Sequence, residues 1–302
     1  MKLRAHLALL ALALILPLGA AEKVSAPKGI PPTIKEVRYG PHERNVLNVW
    51  QAKSDRPTPV LFKIHGGGWY VGDIGATEPE ADWLARGISV VSIRYRMTTT
   101  DILPAPVHDA ARALQFVRSK AREWNLDPKR IVCSGGSAGG CSSLWLALHD
   151  DLADPKSADP VARESTKPLG AIANVPQSTL DPKWILEHIG PEANKHKMIF
   201  QSFGAKSADE MIEHYDRYRA AIREFSPLEH VDRNDAALYL SSGDDMTVPA
   251  KNPSHGIHHP MFSVKLKERA DAVGLTCYLV LGGKTEGTLS PREFVETLFG
   301  MK

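Results

Sequence analysis

The chain has 302 residues, of which 43% are hydrophobic and 24% charged, and this is the composition of a globular protein with a substantial core. Its 37 Lys and Arg residues against 35 Asp and Glu residues give a formal net charge of +2. Because nucleic-acid binding needs clustered positive charge, this balance argues against a nucleic-acid partner.

Residues 1–21 have the pattern of a secretory signal peptide. Lys2 and Arg4 precede an apolar run from Leu7 to Leu18, and small residues follow at 19–21. The run is shorter than the roughly 20 apolar residues of a spanning helix, which favours cleavage over a stable membrane span. We therefore expect an exported protein, periplasmic or extracellular, whose mature part carries a formal charge of 0 once Lys2 and Arg4 are removed.

The mature chain, 22–302, is predicted to be one α/β domain. Its strand-like apolar runs alternate with helical patterns, such as the stripe that begins at Val107 and ends at Trp124 with three- and four-residue spacing. This alternation predicts an eight-stranded, mostly parallel sheet with helices on both faces. The eight predicted strands lie at 33–40, 45–52, 60–64, 88–95, 130–135, 170–175, 236–242 and 276–281.

A long segment at about 176–235 separates the sixth and seventh predicted strands. It has a helical pattern of its own, with Met211, Tyr215, Tyr218 and Ile222 at helical spacing. An insertion of this length is most often a lid or a binding element, although a surface excursion without function is the alternative. We expect a helical lid.

Three cysteines, Cys133, Cys141 and Cys277, each lie in or beside an apolar segment. They are too few for a dense disulfide framework, even in an exported chain. We therefore expect buried thiols, at least one of which stays unpaired within the monomer.

A Gly-rich turn at 135–139, "GGSAG", follows the fifth predicted strand and precedes an apolar helix. Glycines flanking a serine in a strand-to-helix turn allow a sharp bend that exposes the hydroxyl at the edge of the sheet. The N-terminus of the following helix would face negative charge that develops there. Ser137 is thus the predicted nucleophile, and the backbone N–H of Ala138 is a predicted oxyanion donor.

A second glycine run, "HGGG" at 65–68, follows the third predicted strand. Consecutive glycines leave backbone N–H groups unobstructed, which suits an oxyanion hole for a tetrahedral intermediate. Gly67 and Gly68 are the predicted donors, together with Ala138. His65 is expected to orient this loop through hydrogen bonds and not to act as a base.

The order HGGGW, SIRYR, GGSAGG, FSPLEHV and GDDMTVP resembles the α/β-hydrolase superfamily. Within it, the chain is similar to carboxylesterases and lipases with an HGGG motif, of the hormone-sensitive-lipase and feruloyl or acetyl-xylan esterase type. The resemblance implies an α/β-hydrolase fold, hydrolysis of a small-molecule or polysaccharide ester by a serine nucleophile, and no metal or organic cofactor. It also implies a Ser, Asp, His triad in that chain order.

The acid implied by the resemblance lies in the turn after the seventh strand, "GDDMTVP" at 243–249. Counting back three residues from Val248 selects Asp245. The turn is one residue shorter than the family pattern, so Asp244 stays an alternative. A pair of surface carboxylates in a turn would also account for both residues.

The histidine implied by the resemblance is missing from the turn after the eighth strand, which reads "GGKTEG" at 282–287. Lys284, Thr285 or Glu286 takes its place, and none of these relays a proton near pH 7 as a neutral imidazole does. The histidines that follow Asp245 are His255, His258 and His259. His258 and His259 are the candidates for a relocated base.

Two alternatives compete with a relocated base. His258 and His259 could only cap and pack the helix that begins near Pro260, or His255, His258 and His259 could bind a metal with the two aspartates. The metal hypothesis is the weaker one, because the spacing does not match the helical H-E-x-x-H arrangement.

Two functions are consistent with this sequence. The first is a secreted carboxylic ester hydrolase that uses Ser137, acting on esters such as acetyl or feruloyl groups of a polysaccharide. The second is a catalytically impaired α/β-hydrolase fold that binds its ligand without turnover. The pattern does not select the ester or the oligomeric state.

Overall fold

The computed structural model describes residues 30–74, 79–285 and 287–301. The predicted signal peptide at 1–21 lies outside these ranges, and so does Glu286. Within the described ranges, we find no helix with both the length and the apolar character that a bilayer crossing requires.

The strands are β1 (Ile34–Arg38), β2 (Val46–Trp50), β3 (Thr58–Ile64), β4 (Ser89–Ile93), β5 (Leu126–Gly136), β6 (Gly170–Asn174), β7 (Ala237–Ser242) and β8 (Cys277–Leu281). They form one eight-stranded sheet in the order β1-β2-β4-β3-β5-β6-β7-β8. β1 pairs antiparallel with β2, and β2 antiparallel with β4, while every other pair is parallel. The predicted mostly parallel, eight-stranded α/β-hydrolase sheet is confirmed.

Helices cover both faces of the sheet. Along β3, Val60 and Phe62 pack towards the face covered by α2 (Ala105–Ser119), while Leu61 between them packs with Phe294 of α11 (Pro291–Leu298). Each fully buried side chain of this kind contributes about 1.5–3 kcal/mol of burial energy. The helices are α1 (Pro79–Ala85), α2 (Ala105–Ser119), α3 (Ala138–Leu148), α4 (Pro182–His188), α5 (Pro191–Asn194), α6 (Lys197–Gln201), α7 (Ala208–Glu213), α8 (Tyr215–Glu224), α9 (Pro253–Ile257), α10 (Met261–Val273) and α11 (Pro291–Leu298).

Local sequence signals set the ends of the last two helices. Gly274 ends α10 in the left-handed conformation with φ 78°, where a residue without Cβ is favoured. Ser290 begins α11 as its N-cap, and the reciprocal hydrogen bonds between Ser290 and Glu293 form a capping box ahead of Phe294. These two helices pack on opposite faces of the C-terminal half of the sheet.

The three cysteines are buried and free. Burial in apolar surroundings raises the pKa of the Cys133 and Cys277 thiols to about 12. The thiols therefore stay protonated at neutral pH.

The segment at 176–235 contains α4 to α8 and a 3₁₀ turn at Pro227–Glu229, in line with its predicted helical pattern. Met211, Tyr218 and Ile222 are buried, as their helical spacing predicts. This insertion packs on α9 through α5, so it supports a helix that follows the turn after β7.

Candidate active site

Ser137 lies on the sharp turn that joins β5 to α3. Its backbone has φ 51° and ψ −122°, a conformation that is strained for a residue with a side chain. The turn is tight because a Cβ at Gly139 would lie 2.1 Å from the Ile64 carbonyl oxygen, and one at Gly135 would lie 2.4 Å from the Gly139 carbonyl oxygen. Only glycine fits at either position, which explains the pattern seen in the sequence.

The HGGG loop packs directly against this turn. A Cβ at Gly66 would lie 2.6 Å from the Gly136 carbonyl oxygen and 3.6 Å from the Ser137 Cβ, so the two glycine motifs are in contact. Gly67 and Gly68 adopt φ 100° and 59°. Within the described ranges, the N–H groups of Gly67 and Gly68 have no hydrogen-bond acceptor. Two backbone donors therefore stay available beside Ser137.

His65 contacts Tyr95 and Gly66 at the start of the HGGG loop. Its ring stacks on Tyr95 with 4.1 Å between ring centroids, and its Nδ1 lies 2.8 Å from the Gly66 carbonyl oxygen. The Tyr95 hydroxyl in turn donates to the His65 carbonyl oxygen at 2.7 Å. Burial lowers the pKa of His65, so the ring is neutral at pH 7.

His258 is the imidazole that lies at Ser137. Its Nε2 is 3.0 Å from the Ser137 Oγ, and its Nδ1 is 3.0 Å from the Ser254 carbonyl oxygen. Since a carbonyl only accepts, Nδ1 carries the proton and Nε2 offers its lone pair to the serine hydroxyl. Burial lowers the pKa of His258, against a smaller opposite effect of the Ser254 carbonyl.

Short helix α9 holds His258 in this position. Asn252 caps its N-terminus by accepting from the His255 N–H at 2.9 Å, and Gln177 Nε2 donates to the Ile257 carbonyl oxygen at 2.6 Å. Gly256 packs against α5 so closely that a Cβ there would lie 2.6 Å from the Ala193 Cα. Neither Gln177 nor Ala193 is marked by a sequence motif, because their role depends on the fold that brings the insertion to α9.

The His259 side chain contacts the turn after β7 and the start of α10. It is 1% exposed, its Nε2 lies 3.2 Å from the Thr247 carbonyl oxygen, and its Nδ1 accepts from the Met261 N–H at 3.1 Å. These contacts fix the turn ahead of α10. The sequence leaves open that His258 and His259 only cap and pack α10, and in the structure His259 makes such packing contacts.

Asp245 lies beside the site but its contacts are not with His258. In the described part of the chain it binds Lys251 at 2.5 Å and accepts from the Thr247 hydroxyl at 2.6 Å, and His255 Nε2 lies 3.8 Å away. The Lys251 ammonium, together with Thr247, holds the pKa of this carboxyl well below its usual range. The expected orienting contact between Asp245 and the base is thus replaced by the Ser254 carbonyl, because His258 follows α9 and not β8.

The turn after β8 holds an ion pair at the place where the resemblance implies a histidine. Lys284 Nζ lies 3.8 Å from Asp244, and their side chains are 79% and 62% exposed. Gly282, with φ 60°, donates from its N–H to the Ser242 carbonyl oxygen at 2.9 Å, which ties this turn to the end of β7.

The insertion brings the side chain of His196 to the HGGG loop. His196 Nε2 lies 3.4 Å from the hydroxyl of Tyr70, the residue after HGGGW. Burial lowers the pKa of His196, and the nearby His258 adds to this effect. Trp184 of the insertion stacks on His188 with 4.4 Å between centroids, and also on Phe262 of α10 with 5.6 Å between centroids.

Comparison with known proteins gives a family match over most of this region. The model of the family described as BD-FAE matches residues 49–259, which include both glycine motifs, Asp245 and His258. Among curated proteins, the versiconal hemiacetal acetate esterase of Dothistroma septosporum is 31% identical over 139 residues. That alignment covers 43% of this chain and 38% of the esterase, so the chain spans well under half of this relative.

Solved structures share the fold over nearly the whole chain. A truncated carbohydrate esterase from gut microbiota superposes with a TM-score of 0.66 and 20% identity, covering 88% of this chain and 94% of its own. The acetyl ester-xyloside bifunctional hydrolase from Caldicellulosiruptor lactoaceticus gives a TM-score of 0.64 and 22% identity, covering 89% and 96%. At these identities the likeness shows a common fold.

Proposed function

This chain belongs to the BD-FAE family, and we propose that it hydrolyses carboxylic esters with Ser137 as nucleophile and His258 as general base. The observation that carries the proposal is the 3.0 Å contact between Ser137 Oγ and His258 Nε2, beside the N–H groups of Gly67 and Gly68, which no described residue accepts. Serine esterases need this combination of hydroxyl, neutral imidazole and oxyanion donors.

Acylation would begin with attack of the Ser137 Oγ on the ester carbonyl carbon while its proton moves to His258 Nε2. The carbonyl oxygen becomes an oxyanion, which the N–H groups of Gly67, Gly68 and Ala138 stabilise. The imidazolium then gives the proton to the leaving alkoxide, the C–O bond breaks and the alcohol departs. An acyl group remains on Ser137.

Deacylation repeats these steps with water. His258 Nε2 takes a proton from the water as it attacks the acyl carbonyl, the same N–H groups hold the second oxyanion, and the proton returns to Ser137 Oγ as the acid leaves. One imidazole thus serves as base and acid in both halves, and no cofactor enters the reaction.

The Ser254 carbonyl does part of the work of the acid in a Ser, His, Asp triad. It fixes Nδ1–H, and therefore keeps the Nε2 lone pair on the serine, which is the tautomer that the reaction needs. A carbonyl dipole stabilises the imidazolium less than a carboxylate does, because it carries no net charge. We therefore expect turnover below that of a full triad but well above the residual rate without a base.

For the substrate we propose acetyl or feruloyl esters of a polysaccharide. Two proteins of similar fold are a carbohydrate esterase and an acetyl ester-xyloside bifunctional hydrolase. The predicted signal peptide at 1–21 would direct the enzyme to the periplasm or the outside of the cell, where such polymers occur. His196 and Tyr70, which lie 3.4 Å apart at the HGGG loop, offer polar groups for a sugar.

Hydrolysis of an aryl acetate and of acetylated xylan tests the proposal with Ser137→Ala, His258→Ala and His259→Gln beside the unaltered chain. We expect the first two to fall to a common background and His259→Gln to stay near the parent rate. Removal of one triad member leaves an acceleration of about 10³–10⁴ over water, so weak activity alone does not show that Ser137 and His258 are catalytic. The comparison between the variants and the unaltered chain does. Equal rates for all four proteins would support the alternative, a catalytically impaired binding protein.

A further inference from the structure

A second group of ionisable side chains lies away from Ser137, at the far end of α3. His149 follows the last residue of α3, Glu224 ends α8, and His230 follows the 3₁₀ turn at Pro227–Glu229. One donor atom of each of the three residues lies within 4.8 Å of those of the other two. The 12 residues from Ser137 to His149 along this helix correspond to about 18 Å, so the group is separate from the active site.

Both imidazoles already direct one ring nitrogen at a backbone carbonyl. His149 Nδ1 lies 2.8 Å from the Asp150 carbonyl oxygen, and His230 Nε2 lies 2.7 Å from the Glu224 carbonyl oxygen. A metal-bound histidine is commonly held in this way, because the N–H given to a carbonyl leaves the other nitrogen as a ligand.

The contact between His149 and Glu224 brings two ligand atoms together. His149 Nε2 lies 2.9 Å from the Glu224 Oε1. An imidazole nitrogen and a carboxylate oxygen are both ligands for a divalent transition-metal ion, and here they lie side by side.

The surroundings suit an ion that enters from solvent. Trp145 stacks on His149 with 4.2 Å between centroids and holds the ring, and the His149 and His230 centroids are 4.9 Å apart. The Glu224 side chain is 43% exposed, whereas that of His149 is 14% exposed. Two fixed imidazoles and one accessible carboxylate form a partly preorganised set.

We propose that His149, Glu224 and His230 bind one divalent transition-metal ion, of which Zn²⁺ is the best match. Imidazole and carboxylate together suit Zn²⁺, with bonds of about 2.0–2.2 Å, so the side chains need to close in by about an ångström. The ion would join the end of α3, the helix that begins at Ser137, to the returning end of the insertion. Its role is structural.

Calorimetric titration of the full chain, first stripped with EDTA, with ZnCl₂ tests this site. We expect one equivalent of Zn²⁺ to bind and the melting temperature to rise with Zn²⁺ concentration, since an ion that binds only the folded state stabilises it. His149→Gln, Glu224→Gln and His230→Gln should each weaken binding by at least about tenfold. Near-ultraviolet circular dichroism checks that each variant is folded.

Two matched controls separate this site from others. His214→Gln removes an exposed histidine of the same insertion, and His258→Ala removes the imidazole at Ser137, and both should leave Zn²⁺ binding unchanged. Absence of saturable binding would overturn the proposal, and so would binding that His258→Ala abolishes and Glu224→Gln does not. Glu224→Gln decides the matter if a histidine variant misfolds, because its side chain is nearly half exposed.

Discussion

Gly256→Ala is expected to reduce turnover by moving His258. A Cβ at Gly256 would lie 2.6 Å from both the Cα and the N of Ala193, and these are backbone atoms that cannot rotate away. Ordinary contact begins at 3.4 Å, so α9 and α5 have to separate by about 0.8 Å. If His258 moves away from Ser137 by this amount, the distance from Ser137 Oγ to His258 Nε2 increases from 3.0 Å to a value beyond hydrogen-bond range.

The expected magnitude follows from that displacement. A misplacement of about 1 Å at reacting groups costs about 10²-fold in rate, and overpacking costs about 1–3 kcal/mol of folding stability. Turnover of an aryl acetate and the melting temperature are measured together. The matched control is Gly243→Ala, because a Cβ there meets nothing within 4 Å, and its turnover should stay at the parent value. Parent-like turnover in folded Gly256→Ala would refute the idea that the contact between α5 and α9 positions His258.

Three further outcomes are expected. The rise of kcat/KM with pH should have its midpoint below pH 6.5, because burial lowers the pKa of His258 and the base is neutral only above that pKa. Asp245→Asn should not move this midpoint, since Asp245 binds Lys251. A shift of a full pH unit would show that Asp245 is the orienting acid. Lys284→Ala should keep parent turnover and change the free energy of unfolding by less than about 1 kcal/mol, since among the described residues the Lys284 side chain makes one exposed ion pair, with Asp244. A large loss of rate would place Lys284 in the chemistry. Burial also lowers the pKa of His65 in the folded state, so the free energy of unfolding measured in urea should decrease as pH falls below 6.5 towards that pKa. His65→Gln should make the free energy of unfolding less dependent on pH in this range. An unchanged pH dependence in His65→Gln would contradict this prediction.

Local patterns in the sequence predict most of the fold. The stripe on α2, the capping box at Ser290 and the αL glycine at 274 each act within a few residues, so they can be read without tertiary information. The glycines at 135 and 139 are predictable for a related reason, because a sharp turn leaves no room for a Cβ whatever surrounds it.

The geometry around His258 is not predictable in this way. Sequence order leaves His258 and His259 equivalent, and only α9 decides which of the two faces Ser137. The carbonyl of Ser254 carries no sequence signal at all, since every residue has one. Asp245 is selected by a motif count, but its partner Lys251 is determined by the path of the turn.

The turn after β8 has a practical consequence. Gly283 and Gly287 face open space, and the neighbouring Lys284 is mostly exposed. Exposed loop tips with small residues tolerate added chain far better than packed segments do. A peptide tag or a fluorescent reporter could therefore be grafted at 283–285, in the turn where the resemblance implies a histidine.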